Sequence, residues 1–257
     1  MPRLPKLCVY CGQSGVTKEH IRGAWSRKHA LGGTTGSEHV LERFPNGDRL
    51  AAPERKDGAL KRPGAPRSAT LKIACERCNS GWMKRIVDAA IPVLTPLDFG
   101  YWGMISLEDQ QKLASWITLF TMSFEFSDKE TVCVSDDERN LFRESGIPTN
   151  HWNIAIGYGE PTAGVERTKH CAISLHPSNH WNGHRKSQIT AFFFGRLIAL
   201  SYYSEIPYFD SFEPFARRHG LEPIWPPRDN DLRKPFRIHY DEAVEGLVAD
   251  LSAALSG

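Results

Sequence analysis

The pattern of hydrophobic and polar positions along the chain predicts a mixture of strands and helices. Apolar and polar residues alternate at 69–74, which predicts a short strand, and residues 16–21 are also expected to form one. Apolar residues then recur at helical spacing from Trp82 to Ala90, and Pro92 is expected to end this helix. The polar, basic residues at 43–77 that precede the second strand are predicted to form a loop.

The rest of the chain continues the mixed pattern after a connector expected at 91–105. Ser106 and Asp109 fit a capping box, and the helix that they begin carries an apolar stripe that reaches Phe124. The apolar run at 188–203 is a strand or a buried helix, because periodicity does not separate the two. The other predicted helices are 136–145, 212–219 and 242–255, and the other predicted strands are 151–158 and 170–176. The chain is therefore predicted to have an α+β fold.

Two Cys-x-x-Cys pairs flank the two short predicted strands. Cys8 and Cys11 precede the first strand, and Cys75 and Cys78 follow the second, with 63 residues between the pairs. Four thiolates from two such turns form a closed, tetrahedral structural zinc site. The alternatives are disulfides, which need an oxidising compartment, and plain buried thiols. We expect one structural zinc ion.

The remaining sequence features indicate a cytoplasmic protein. The N-terminus has no apolar signal region, so a reducing compartment is expected. No apolar run approaches the 18 or so residues of a membrane span. Cys133 and Cys171 stand alone within apolar runs and are expected to be core residues rather than ligands.

Charge is distributed unevenly along the chain. Residues 1–90 contain 17 Lys and Arg and 8 Asp and Glu, a net charge of +9, whereas residues 91–257 contain 15 and 22, a net charge of −7. Clustering of this size on the cysteine-containing half favours a basic face for a polyanion over a neutral solvated surface. The basic residues expected to contact nucleic acid are Arg22, Arg55, Lys56, Lys61, Arg62, Lys84 and Arg85.

The order of these motifs resembles that of a known family. Cys8-x-x-Cys11, then Glu19-His20-Ile21, then Cys75-x-x-Cys78-Asn79 is similar to the zinc-knuckled branch of the HNH endonucleases. The resemblance covers about residues 6–90, and the segments after Asn79 and around Trp225 also look similar to bacterial HNH-annotated proteins of unknown role. It implies a ββα-metal, or treble-clef, module and a context in phage defence or mobile-element biology.

The resemblance also implies roles for three residues. His20 matches the general base that takes a proton from water, and Glu19 and Asn79 match the residues that hold a catalytic divalent ion. A neutral imidazole can accept a proton at cellular pH, and carboxylate and amide oxygens suit Mg²⁺ or Mn²⁺. The sequence is therefore interpreted as a metal-dependent endonuclease that hydrolyses DNA, without RNA being excluded as the substrate.

A different class of function stays open. The family's middle asparagine has no counterpart here, since no asparagine lies between Asn46 and Asn79, and the corresponding place is near Thr70. This favours an alternative, a catalytically lapsed zinc-scaffolded protein that binds nucleic acid or acts as an adaptor. In both interpretations residues 1–92 form the zinc module, and residues 93–257 form a larger α+β domain for specificity, a protein partner or a homodimer.

Overall fold

The structure is a computed structural model, and it confirms the α+β class. It describes residues 6–29, 35–44, 54–59, 67, 69–160, 166–175, 185–205, 211–227, 231–232, 235, 238–240 and 242–256. The strands are β1 (Val16–His20), β2 (Thr35–Phe44), β3 (Glu54–Ala59), β4 (Thr70–Cys75), β5 (Trp152–Gly159), β6 (Glu166–Leu175), β7 (Arg185–Phe194), β8 (Leu197–Ser204), β9 (Glu222–Trp225) and β10 (Ile238–His239). The helices are α1 (Glu76–Cys78), α2 (Lys84–Asp98), α3 (Leu107–Phe124), α4 (Asp136–Ser145), α5 (Phe212–Arg218) and α6 (Ala243–Ser256).

The described strands form two sheets. β1 and β4 make a small antiparallel hairpin, and the other eight form one sheet in the order β10-β5-β8-β7-β6-β2-β3, with β9 also paired to β5. Neighbours in the large sheet run antiparallel except for β2 with β6 and β10 with β5, which are parallel. Strands β2 and β3 therefore carry residues of the N-terminal part into the sheet of the C-terminal part.

Both faces of the large sheet are covered, which gives the protein three layers. Phe192 and Phe194 of β7 pack in the same hydrophobic cluster as Trp116 of α3. Phe193, which points the other way, belongs to a second cluster with Leu247 of α6. A strand buried on both faces is apolar without alternation. This is why periodicity alone did not distinguish strand from helix at 188–203, which forms parts of β7 and β8.

The boundary predicted between residues 92 and 93 does not coincide with a break in the structure. It falls inside α2, and the hydrophobic cluster beneath that helix joins Tyr10 and Met83 to Trp116 and Phe192. The hydroxyl of Tyr10 also lies 2.9 Å from that of Ser123 in α3. The N-terminal part is packed on the rest of the protein through a shared core.

A buried ion pair strengthens the same junction. The Arg67 guanidinium, which lies shortly before β4, donates to both carboxylate oxygens of Asp98 at 2.6 and 2.7 Å. It also lies 4.1 Å from the centre of the Phe194 ring. Asp98 ends α2, and its main-chain carbonyl accepts a hydrogen bond from Arg196 N in the turn between β7 and β8. The end of the helix is thereby fixed to the sheet.

Two local predictions from the sequence are wrong. Pro92 does not end the helix, because α2 contains both Pro92 and Pro96 and continues to Asp98. Burial of Leu94 and Leu97 offsets the backbone hydrogen bonds that the prolines remove. The polar segment expected to be a loop contains β3, an edge strand, and charged residues are common on edge strands.

Predictions that rest on local chemistry are confirmed. Ser106 Oγ accepts a hydrogen bond from Asp109 N at 3.2 Å at the start of α3. Gly146 ends α4 in the left-handed conformation, with a φ of 70°. Cys133 and Cys171 are buried side chains. No helix in the described part of the chain is long and apolar enough to cross a membrane.

His170 is a buried group whose protonation opposes folding. Its Nδ1 lies 2.8 Å from Thr190 Oγ1 and its Nε2 lies 3.0 Å from the carbonyl oxygen of Thr131. Burial disfavours the charged ring and lowers the pKa of His170 to about 4. The unfolded chain, with a histidine pKa of about 6.5, therefore binds a proton at mild acidity that the folded chain does not bind.

This difference predicts a loss of stability at low pH. The free energy of unfolding should fall as the pH drops from about 6.5 towards 4, and His170 should account for about 2 kcal/mol of the loss at pH ~5. Denaturant titrations of wild type and His170→Gln at neutral and acidic pH measure this contribution. The variant should lose less stability between the two pH values; an equal loss in both proteins would contradict it.

Candidate functional site

The four cysteines of the two Cys-x-x-Cys pairs converge at one end of the small hairpin. Their sulfur atoms all lie within 4.8 Å of one another, and Cys11 Sγ is 3.5 Å from Cys75 Sγ. A tetrahedron with metal–sulfur bonds of about 2.3 Å has edges of about 3.8 Å. None of the four is in a disulfide. The cluster can therefore hold a metal ion, and its ligands and spacing are compatible with zinc.

Local backbone structure places each sulfur. Cys8 and Cys11 lie in a turn where Gly12 N donates to Cys8 O at 2.9 Å, and Gly12 has a φ of 70° that favours glycine. Val9 N donates to the carbonyl of Ile73 and ties this turn to β4. Cys75 is the last residue of β4, and Cys78 lies in α1. The order of turn, hairpin and helix is the one expected for a treble clef.

Burial changes the protonation of the cysteine side chains. Cys8, Cys75 and Cys78 are buried, and Cys11 is half-buried. Burial raises the pKa of Cys78 to about 12, since a buried thiolate has lost its hydration. A metal ion stabilises the thiolate form directly, because it replaces the lost hydration with coordination.

The hairpin places Glu19 and His20 beside the helix that follows β4. His20 pairs with Thr70 and Glu19 pairs with Leu71, with an irregular register between Thr17 and Glu19. On the helical side, Nδ2 of Asn79 donates to Thr17 Oγ1 at 3.2 Å. This bond leaves the Asn79 amide oxygen available as an acceptor or a metal ligand.

Glu19, His20 and Asn79 line one cavity of about 390 Å³. His20 and Asn79 are half-buried, so neither is enclosed in the core. The three residues that the sequence assigned to one site are therefore brought together at the wall of a single open cavity.

The protonation states of the two neighbouring residues differ. Partial burial and the nearby charge of Arg27 lower the pKa of His20, so its imidazole is neutral near pH 7 and can accept a proton. Burial raises the pKa of Glu19 to about 7. A divalent cation beside Glu19 would favour its carboxylate form, as an opposite charge does.

The cavity contains two further carboxylates that sequence reasoning missed. Glu76 and Asp88 line it from the helical side, together with Lys84, whose Nζ lies 2.5 Å from Asp88 Oδ2. Part of this was predictable, because Lys84 and Asp88 are four residues apart on a helix and so lie on one face. Among the described residues, the cysteine cluster is the one group of three or more His, Cys, Asp or Glu side chains spaced to hold a metal. An ion bound by Glu19 and Asn79 would complete its coordination with water or phosphate oxygens.

The assignment of Arg22 to a nucleic-acid surface is wrong. Arg22 is buried, with 6% of its surface exposed, and it donates to the carbonyl of Phe193 and to Thr168 Oγ1. Its guanidinium also lies over the rings of Phe120 and Phe192. A guanidinium enclosed in this way joins the hairpin to the large sheet and is not available to a phosphate.

The other predicted nucleic-acid contacts lie in different parts of the structure. Lys84 and Arg85 are exposed near the start of α2, and Lys84 faces the His20 cavity. Arg55 and Lys56 belong to β3, for which the structure describes only the backbone. Lys61 and Arg62 lie outside the described residues.

Trp82 lies three residues after Asn79 in the helical segment. It is buried, and its ring packs edge-on against Tyr10 at 5.1 Å and Phe142 at 5.8 Å between centroids. The side chain at this position therefore anchors the helix in the shared core instead of presenting a charge.

Comparison of the chain with protein-family profiles, with curated proteins and with solved structures finds no significant match.

Proposed function

We propose that the protein is a metal-dependent endonuclease of the HNH type that hydrolyses phosphodiester bonds in DNA. The observation that supports this most strongly is that Glu19, His20 and Asn79 line one cavity on a hairpin and helix joined by the cysteine cluster. The proposal makes zinc the structural ion and Mg²⁺ or Mn²⁺ the catalytic ion.

In the proposed mechanism the cysteine cluster acts as a scaffold. Cys75 and Cys78 join the end of β4 to the helix that carries Asn79, while Cys8 and Cys11 tie in the turn that leads to β1. A closed four-thiolate site leaves no open coordination position for substrate, so its contribution is to hold the catalytic residues in place.

His20 is the general base in this mechanism. Its neutral ring takes a proton from a water molecule, whose oxygen forms the new bond to phosphorus as the bond to the leaving oxygen breaks. The leaving oxygen then takes up a proton from solvent. Partial burial of His20 keeps the imidazole in the form that accepts the proton.

Glu19 and Asn79 would hold the catalytic ion through oxygen atoms, the ligands that Mg²⁺ and Mn²⁺ prefer. Asn79 is oriented for this by its bond to Thr17, which occupies the amide nitrogen. When bound, the ion would neutralise negative charge that develops on the phosphate and the leaving oxygen. Glu76 and Asp88 add negative charge to the same cavity.

The alternative function is that of a nucleic-acid-binding or adaptor protein without catalysis. Thr70 pairs with His20 across the hairpin, and it has no side-chain amide to orient the imidazole as the asparagine of the resembled family does. This arrangement favours a site that has kept its cysteine scaffold and has lost its catalytic activity.

A cleavage assay separates the two functions. Zinc-loaded protein is incubated with supercoiled plasmid in the presence of Mn²⁺ or Mg²⁺, beside a single-stranded RNA of similar length. The proposal predicts nicked and then linear plasmid, and no cleavage without the divalent ion. A gel shift without any cleavage would instead support the alternative function.

A further inference from the structure

A second cavity, of about 520 Å³, lies against the cysteine cluster on the other face of the same helical segment. The His20 cavity is lined by Asn79, Met83 and Lys84, whereas this one is lined by the interleaved positions Arg77 and Arg85. We call it the arginine cavity. Its lining includes Cys11, Cys78, Arg77, Arg85, Arg143 and Glu144.

The arginine cavity combines three guanidinium groups from separate elements. Arg77 belongs to α1, Arg85 to α2 and Arg143 to α4. Among the described residues, Glu144 is the one carboxylate in the lining; it lies 3.4 Å from Arg143 Nη2, and its side chain is 69% exposed. Arg77 and Arg85 form no ion pair with a carboxylate in the described part of the chain. The three guanidinium groups present N–H donors to the cavity, and they also offset in part the two negative charges that a four-thiolate zinc site beside them would carry.

Arg143 brings a partly exposed guanidinium to the arginine cavity. Its side chain is 32% exposed, but its Nε atom is buried and has no hydrogen-bond partner among the described residues. Phosphate oxygens match the fork of N–H groups that a guanidinium presents.

The backbone between the two cavities is irregular. Residues Asn79–Met83 form a widened turn, and within it Gly81 has a φ of −93° and a ψ of −110°. Widened turns of this kind occur often at functional sites. Asn79 and Met83 face the His20 cavity while Gly81 and Trp82 face the arginine cavity, so this turn is the wall that the two cavities share.

The arginine cavity also opens into a longer groove. A neighbouring cavity of about 390 Å³ shares Trp82, Arg85, Arg143 and Glu144 with it and continues along α2 and α3.

We propose that the arginine cavity binds a phosphate group through Arg77, Arg85 and Arg143. The identification of that phosphate as part of the nucleic-acid backbone rests on the proposed function, because the strand cut at the His20 cavity would cross the shared helical turn. In this arrangement one face of the helical segment carries the residues proposed for hydrolysis, and the other face carries the residues that bind the phosphate backbone.

Binding of duplex DNA without cleavage tests the proposal. Affinity is measured over a range of salt concentrations in buffer without divalent ions, with His20→Ala as the background. Each arginine that contacts a phosphate should contribute about 0.9 to the slope of log affinity against log salt. The triple substitution Arg77→Gln, Arg85→Gln and Arg143→Gln should therefore lower the slope by about 2 to 3. Arg218→Gln, an exposed arginine on α5, is the matched control and should lower it by much less.

A second arm identifies the source of the phosphate. Inorganic phosphate is compared with chloride at equal ionic strength for its effect on the thermal unfolding midpoint of wild type and the triple variant. In one outcome the unfolding midpoint rises with phosphate only when the arginines are present, while the salt dependence of DNA affinity is the same in wild type and triple variant. That result would support the phosphate site but assign it to a small phosphate ligand. If the triple variant behaves like Arg218→Gln in both arms, the proposal is overturned.

These two measurements distinguish the phosphate site from the proposed nuclease activity. Neither arm measures cleavage, so arginine-dependent binding by a protein that never cuts would support the cavity and contradict the enzyme. If the triple variant does not fold, Arg77→Gln and Arg85→Gln alone still test the site, since both side chains are exposed. Each single variant should lower the slope by about 0.9, and an unchanged slope together with an unchanged response to phosphate in both variants would overturn the proposal.

Discussion

Replacing His20 by alanine is expected to lower the rate of metal-dependent plasmid nicking at least about 100-fold, the usual contribution of a general base. The variant loses the one imidazole that lines the cavity with Glu19 and Asn79. The measurement is the initial rate of loss of supercoiled plasmid with saturating Mn²⁺. The affinity for the same DNA without divalent ions should change little, because His20 is assigned to proton transfer and not to DNA binding.

His151→Ala is the matched control for this experiment. His151 is also half-buried, but its ring packs against Tyr203 at a centroid distance of 6.3 Å, outside the cavity. This variant should nick plasmid at nearly the wild-type rate. Equal nicking by wild type and His20→Ala would remove His20 from the mechanism, and zinc content and thermal unfolding would confirm that both variants are folded.

Replacing Cys75 by serine is expected to remove the metal and to unfold the hairpin and first helical turns. Structural zinc contributes roughly 10–16 kcal/mol in small zinc peptides, which exceeds the stability of most domains. Cys75 joins β4 to α1, so its loss separates Glu19 and His20 from Asn79. Elemental analysis should find about one zinc per wild-type chain and a substoichiometric amount in the variant.

The loss should extend beyond the hairpin. Tyr10 and Trp82 belong to the same hydrophobic cluster as Trp116 and Phe192, so an unfolded hairpin leaves part of that cluster exposed. We therefore expect a lower thermal unfolding midpoint for the whole protein. Cys133→Ser is the control, since it changes a buried thiol that is not one of the four clustered cysteines and should leave the zinc in place. A Cys75→Ser protein with wild-type zinc content and midpoint would contradict the scaffold.

The sequence predicted those parts of the fold that depend on neighbours in the chain. The cap at Ser106 and the left-handed end at Gly146 need only residues a few positions away. The cysteine cluster was predictable for a similar reason, because each pair forms within one turn and metal chemistry joins the pairs. The order of the large sheet was not predictable, since β2 pairs in parallel with β6 across more than 100 residues of chain.

The same distinction applies to the candidate site. Glu19, His20 and Asn79 were identified from motif order, and the structure places them around one cavity. Arg22 was misassigned because its acceptors, the Phe193 carbonyl and Thr168, are distant in sequence. An arginine is usually exposed unless it has such partners, and one sequence alone does not reveal them.

In the proposed mechanism, one cavity on the cysteine-joined hairpin and helix holds a divalent ion next to His20. Nuclear magnetic resonance of zinc-loaded protein with ¹⁵N-labelled histidine tests it directly, because paramagnetic Mn²⁺ broadens the signals of nearby nuclei. Stoichiometric Mn²⁺ should broaden the signal of His20 selectively among the ten histidines, excess Mg²⁺ should restore it, and Glu19→Gln with Asn79→Ala should abolish the effect. A His20 signal that stays sharp, or that broadens equally in the double variant, would contradict the account.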